Sequence, residues 1–153
     1  MTELWLFLHL AAIVVWIGGM VFAHFSLRPA ALATLQPPQR LPLMSAALGR
    51  FFVLVGASLV LLWGSGLAMF AALITSGGRP PLSWNLMAAI AALMTVVFAV
   101  IALRLHPRMR SAVAASEWPK AATALDSIRR LVALNLGLGF LTIAVATLGR
   151  LAD

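Results

Sequence analysis

Residues 4–25 read LWLFLHLAAIVVWIGGMVFAHF, a run with two histidines and no Asp, Glu, Lys or Arg. As a helix rising ~1.5 Å per residue it reaches about 33 Å, enough to cross the ~30 Å hydrocarbon core of a bilayer. Residues 51–74, 86–105 and 131–148 have the same character. Composition agrees: the chain is 63% hydrophobic and 10% charged, whereas soluble domains run at roughly 45–50% and about 25%. These runs predict an all-α integral membrane protein, one transmembrane domain over 1–153. The expected form is a four-helix bundle with helices at about 4–25, 51–74, 86–105 and 119–149. The first run is expected to be retained rather than cleaved as a signal peptide, because only Glu3 precedes it and its apolar core is too long.

The basic residues orient the bundle. Arg28, Arg40 and Arg50 fall in the first connection, and Arg104, Arg108, Arg110, Lys120, Arg129 and Arg130 in or beside the third. Only Arg79 and Arg150 fall on the other side. The positive-inside rule then predicts both termini outside and the two longer connections in the cytoplasm of a bacterial inner-membrane protein. The net charge of +7 is read as a match to the anionic lipid of the cytoplasmic leaflet, not to nucleic acid. Ser116-Glu117-Trp118-Pro119 has the form of a helix start with proline in the first turn. The fourth helix would therefore begin outside the membrane. No internal repeat is legible.

Absence of cysteine excludes disulfide scaffolds, iron–sulfur clusters, thiolate metal sites and cysteine nucleophiles. No charged side chain lies in the middle of a span, which argues against a proton pump or ion exchanger. Attention falls on polar residues at membrane depth: His9, His24, Asn85, His106, Asn135, Thr142 and Thr147. His9, Trp16, Met20 and His24 recur at helical spacing along one stripe, beside Gly18-Gly19. His9 and His24, fifteen residues or about 22 Å apart, mark two depths. His24 is expected near the level of His106 and Asn135, and His9 near that of Asn85, Met87 and Met69. Neutral imidazole and thioether suit copper, and either can be an axial ligand of heme iron. The candidate ligands are thus His9, Met20, His24 and His106, with no catalytic side chain. The plainer alternative makes the histidines interfacial polar tips and the methionines core fillers. Trp5, Trp63, Trp84 and Trp118 are read as an interfacial belt.

Leu8-His9-Leu10 through Trp16-Ile17-Gly18-Gly19-Met20 resembles the opening helix of the copper-resistance D (CopD) membrane family. That family's motif is a His, six apolar or small residues, a Trp and a Gly-bearing turn. The Trp84-led third helix and its basic end (Arg104, Arg108, Arg110) fit the same pattern. The resemblance implies a copper-handling protein, with copper ion passed between an outer site at His9 and an inner site at His24 and His106. Longer members of the family have more spans, so a complete path would need a homo-oligomer or a partner. The first helix is also similar to that of HemJ-type protoporphyrinogen oxidases, which bind heme b through a first-helix His. This similarity implies His9 as an axial ligand and, as the alternative function, membrane electron transfer or oxidoreduction. Those relatives carry a third-helix Lys a few positions after a Trp. Here Asn85, Leu86, Met87 and Ala88 follow Trp84, and the one lysine is Lys120.

Overall fold

The computed structural model describes residues 2–149, so Arg150 of the charge count lies outside the described residues. Among those residues the chain is helical apart from three short connections, with no strand. Four helices are long and apolar enough to cross a membrane: Glu3–Thr34, Pro37–Thr75, Leu82–Ala114 and Trp118–Leu148.

The first three extend well beyond the apolar runs that announced them. Sequence reading ends the first and third helices at Arg28-Pro29 and His106-Pro107, because proline removes a donor and crowds the carbonyl four residues back. The chain instead stays helical through both sites. A wide π turn, Ala23–Leu27 in the first helix and Ile101–Leu105 in the third, precedes each Xaa-Pro pair and gives the ring room. Short extensions follow, Arg28–Thr34 and His106–Ala114. The second helix starts at Pro37 rather than near 51 because its first turns bury Leu41, Met44, Ser45 and Leu48.

The described chain is thus two hairpins on one plan. Each has a helix with a π turn before Xaa-Pro, an extension, a short break, and a returning helix with proline in its first turn. No sequence repeat announces this likeness. The first helix packs along the second, and the third along the fourth. Gly77, with φ of +82°, makes the left-handed turn that joins the hairpins, a conformation glycine adopts without steric cost.

The second helix is the most enclosed. Leu41, Leu48, Val55 and Leu62 are buried at seven-residue intervals, the seam of a left-handed helix pairing. Phe51 covers Gly19 of the first helix, where a Cβ would overlap the ring. Large apolar side chains such as Val53, Val60 and Leu103 face outward, 73 to 76% exposed. In water that would be an aggregation surface; here it is the surface a bilayer would cover.

Trp63 departs from the belt expectation. It lies midway along the second helix's apolar run, and its indole N–H donates to the Thr95 hydroxyl at 3.2 Å, tying the hairpins together. The helix start at 118 is as read: Pro119 falls in the first turn, Ile128 is buried and Leu125 half-buried. Glu117 pairs with Lys120 at 2.8 Å.

Candidate functional site

The stripe on the first helix faces inward: Trp16 and Met20 are buried and His9 and His24 half-buried. Its histidines meet different partners from those the depth argument supplies.

His9 meets the second helix. Its Nδ1 lies 3.0 Å from the Oγ of Ser65, and its Cε1 is 3.5 Å from where a Cβ on Gly66 would stand. The single Ser65 hydroxyl proton is already directed to backbone carbonyls, at 2.6 Å to Leu61 and 3.2 Å to Leu62. With that proton on a carbonyl, the serine oxygen accepts from His9 Nδ1–H, the tautomer in which Nε2 keeps the imidazole lone pair. A hydrogen bond to one ring nitrogen that presents the other to a metal is the usual arrangement for ligating histidine.

His106 meets the same helix twenty residues earlier. It is 8% exposed, and its Nε2–H donates to the Ser45 carbonyl at 3.0 Å. The ring stands edge-on to Phe52 at a centroid distance of 5.2 Å, and its Cε1 is 3.1 Å from the Cβ position of Gly49. Here Nδ1 keeps the lone pair. From Ser45 to Ser65 is about 30 Å of helix, the thickness of the hydrocarbon core. Each imidazole thus sits near one end of that span, held by a serine and fitted against a glycine. A chain of edge-on rings runs inward from His106 through Phe52 and Phe98 to Trp16.

The other residues expected at these levels make contacts of their own. His24 stands in the π turn with its ring edge-on to Phe25 at 4.9 Å, and no hydrogen bond or ring contact joins it to His106. Asn85 is exposed and donates to the Pro81 carbonyl one turn back at 3.2 Å. Asn135, 2% exposed, donates to the Met94 carbonyl at 3.1 Å, and its Oδ1 has no partner among the described residues. Thr142 stands 4.0 Å from the Met94 sulfur and donates to the Leu138 carbonyl at 2.9 Å.

Among the described residues, no three of His, Cys, Asp or Glu gather as a metal centre. The histidines supply single donors at separate places. The heme alternative finds no support in the arrangement. His106 is packed against Phe52 and Gly49, with Nε2 committed to a carbonyl, and does not face another imidazole.

The seating residues, Ser45, Gly49, Ser65 and Gly66, are absent from the sequence-derived site. A serine inside an apolar run is weakly polar and can satisfy itself on its own helix's carbonyls. The available signal was their position on the helix antiparallel to His9.

At the end carrying the first and third connections, before the apolar stretch 131–148, Asp126 accepts from Arg129 Nε at 2.9 Å. It also pairs with Arg129 Nη2 at 2.6 Å and Arg130 Nη2 at 3.0 Å. The Arg129 hydrogen bond, with the two guanidinium charges, holds its carboxyl below the ordinary range despite the opposing cost of partial burial.

Compared with known proteins, the family model for copper resistance protein D matches residues 45–148. That is about two thirds of the chain, from the start of the Ser45 seat to the end of the fourth helix. The match and the first-helix motif at residues 8–20 do not overlap, so each supports the relationship separately. No curated protein and no solved structure matches the chain.

Proposed function

The chain belongs to the copper resistance protein D family, and from that premise we propose that this multi-pass membrane protein carries copper across a bacterial inner membrane. In this reading the basic end lies in the cytoplasm. Copper is the cargo, taken at the outer end by His9 Nε2 and at the inner end by His106 Nδ1. Met20 and His24, on the inward stripe of the first helix, supply donors between them.

The observation that carries the proposal is the matched seating of His9 and His106 on one helix, about 30 Å apart. A histidine with one ring nitrogen hydrogen-bonded presents the other to a metal. Single donors at each end bind weakly enough to release, as conduction requires. A second copy or a partner would complete the coordination at each end.

The test is copper handling in a copper-sensitive bacterium expressing the chain, with copper binding to the purified protein measured in parallel. The expected result is altered copper tolerance that His9→Ala and His106→Ala each abolish, each variant also losing part of the bound copper. Wild-type tolerance and binding in the double variant would sink the proposal. A purified protein with a Soret band that depends on His9 would replace it with the heme reading.

A further inference from the structure

At the basic end, the extension of the first helix, the start of the second and the fourth helix enclose a cavity of about 120 Å³. Arg28, Arg40 and Arg129 line it with Asp126, against an apolar wall that includes Leu41 and Met44. Asp126 is fully engaged by Arg129 and Arg130. Arg28 and Arg40 are half-buried, yet neither side chain makes an ion pair or hydrogen bond among the described residues.

Two guanidinium groups facing one cavity without an anion paired to either are an incomplete arrangement, since each is a fork of donors matched to a carboxylate or phosphate. The one carboxylate beside them is taken by Arg129 and Arg130. An arginine that serves only to set topology needs no cavity, and Arg108 and Arg110 are exposed. The lining thus carries a surplus of positive charge beside an apolar wall, at the level where membrane-crossing helices leave the hydrocarbon.

We infer that this cavity binds the phosphate group of an anionic phospholipid, with Arg28 and Arg40 as its two unopposed donors. The apolar wall selects a lipid over a free anion, because it receives the glycerol and upper acyl region that inorganic phosphate lacks. The site is independent of copper. It clamps the first helix extension, the second helix and the fourth helix around one lipid, at the end that holds the His106 seat.

The test is native mass spectrometry of the detergent-solubilised protein titrated with phosphatidylglycerol. One basic residue near an anionic membrane surface contributes about fivefold in affinity (~1 kcal/mol), so Arg28→Gln/Arg40→Gln is expected to weaken the bound lipid about 25-fold. Arg108→Gln/Arg110→Gln is expected to leave it unchanged. Asp126→Asn, which frees Arg129, is expected to tighten it, and this variant decides the matter if the double arginine variant fails to fold. Equal loss in both double variants, or no tightening in Asp126→Asn, would overturn the site. Displacement of the lipid by excess inorganic phosphate alone would overturn the lipid assignment in favour of the free anion.

Discussion

His9 Nδ1 stands 3.0 Å from Ser65 Oγ, and with the serine proton on the Leu61 carbonyl at 2.6 Å the serine oxygen accepts from the ring N–H. The pair decides which imidazole nitrogen is available to a metal. Loss of a hydrogen-bond partner behind a ligating histidine typically costs 10–100-fold in metal affinity. Ser65→Ala is therefore expected to weaken copper binding at the His9 end by that factor, and His9→Ala to remove it. Competition against a chromophoric copper(I) chelator measures both. Equal affinities in wild type and Ser65→Ala would show that the serine does not hold the ligand.

The two glycine seats differ in tolerance. A Cβ at Gly49 would stand 3.1 Å from His106 Cε1, tighter than ordinary contact, whereas one at Gly66 would stand 3.5 Å from His9. Gly49→Ala is expected to tilt the His106 ring off the Ser45 carbonyl and reduce copper binding at the basic end. Gly66→Ala is expected to be neutral. The His106 ring resonances in NMR spectra of the two variants report the difference directly.

Asn135 gives a stability prediction whose sign follows from competing magnitudes. Its hydrogen bond to the Met94 carbonyl is worth about 0.6 kcal/mol by the membrane average. Its buried Oδ1 without a partner costs roughly 1–3 kcal/mol. The Met94 carbonyl lies inside a helix and keeps its backbone bond when the side chain is lost. Asn135→Leu, of similar size, is thus expected to leave stability unchanged or raise it by about 1 kcal/mol, read from unfolding in a denaturing detergent titration. A marked loss would mean that Oδ1 has a partner, such as an ordered water, that the leucine displaces.

Orientation can be measured cleanly because the chain has no cysteine. In intact cells treated with a membrane-impermeant maleimide, Ser76→Cys in the connection between the hairpins is expected to label. Ser111→Cys, on the extension of the third helix, is expected to label only after lysis. The reverse pattern would place the arginine-rich end outside and overturn the direction assigned to copper.

Much of the architecture is legible in the residues. Runs such as 4–25 and 86–105 are long and apolar enough to cross a membrane and are helical, and the Trp16–Met20 stripe does face inward. The helix ends were misjudged at Arg28-Pro29 and His106-Pro107 for one reason. Proline stops an α-helix locally, but a π turn absorbs it when packing on a neighbour stabilises the extension. Likewise Leu41, Met44, Ser45 and Leu48 lie before the apolar run at 51–74, and their burial in the second helix is a matter of packing.

By itself, then, the sequence determined the solvent: four helices with apolar surfaces, a cysteine-free chain and an excess of positive charge at one end. Beyond the stripe on the first helix, it could not say which side of each helix faces its neighbours. In water a helix declares its buried face by alternating with a polar one, but a helix in lipid is apolar all round, and that periodicity is lost. Only the tertiary structure could bring Ser65 to His9, Ser45 to His106, and the unopposed Arg28 and Arg40 to one cavity. Each of these meetings joins residues far apart in the chain, through contacts that hydrophobicity does not encode.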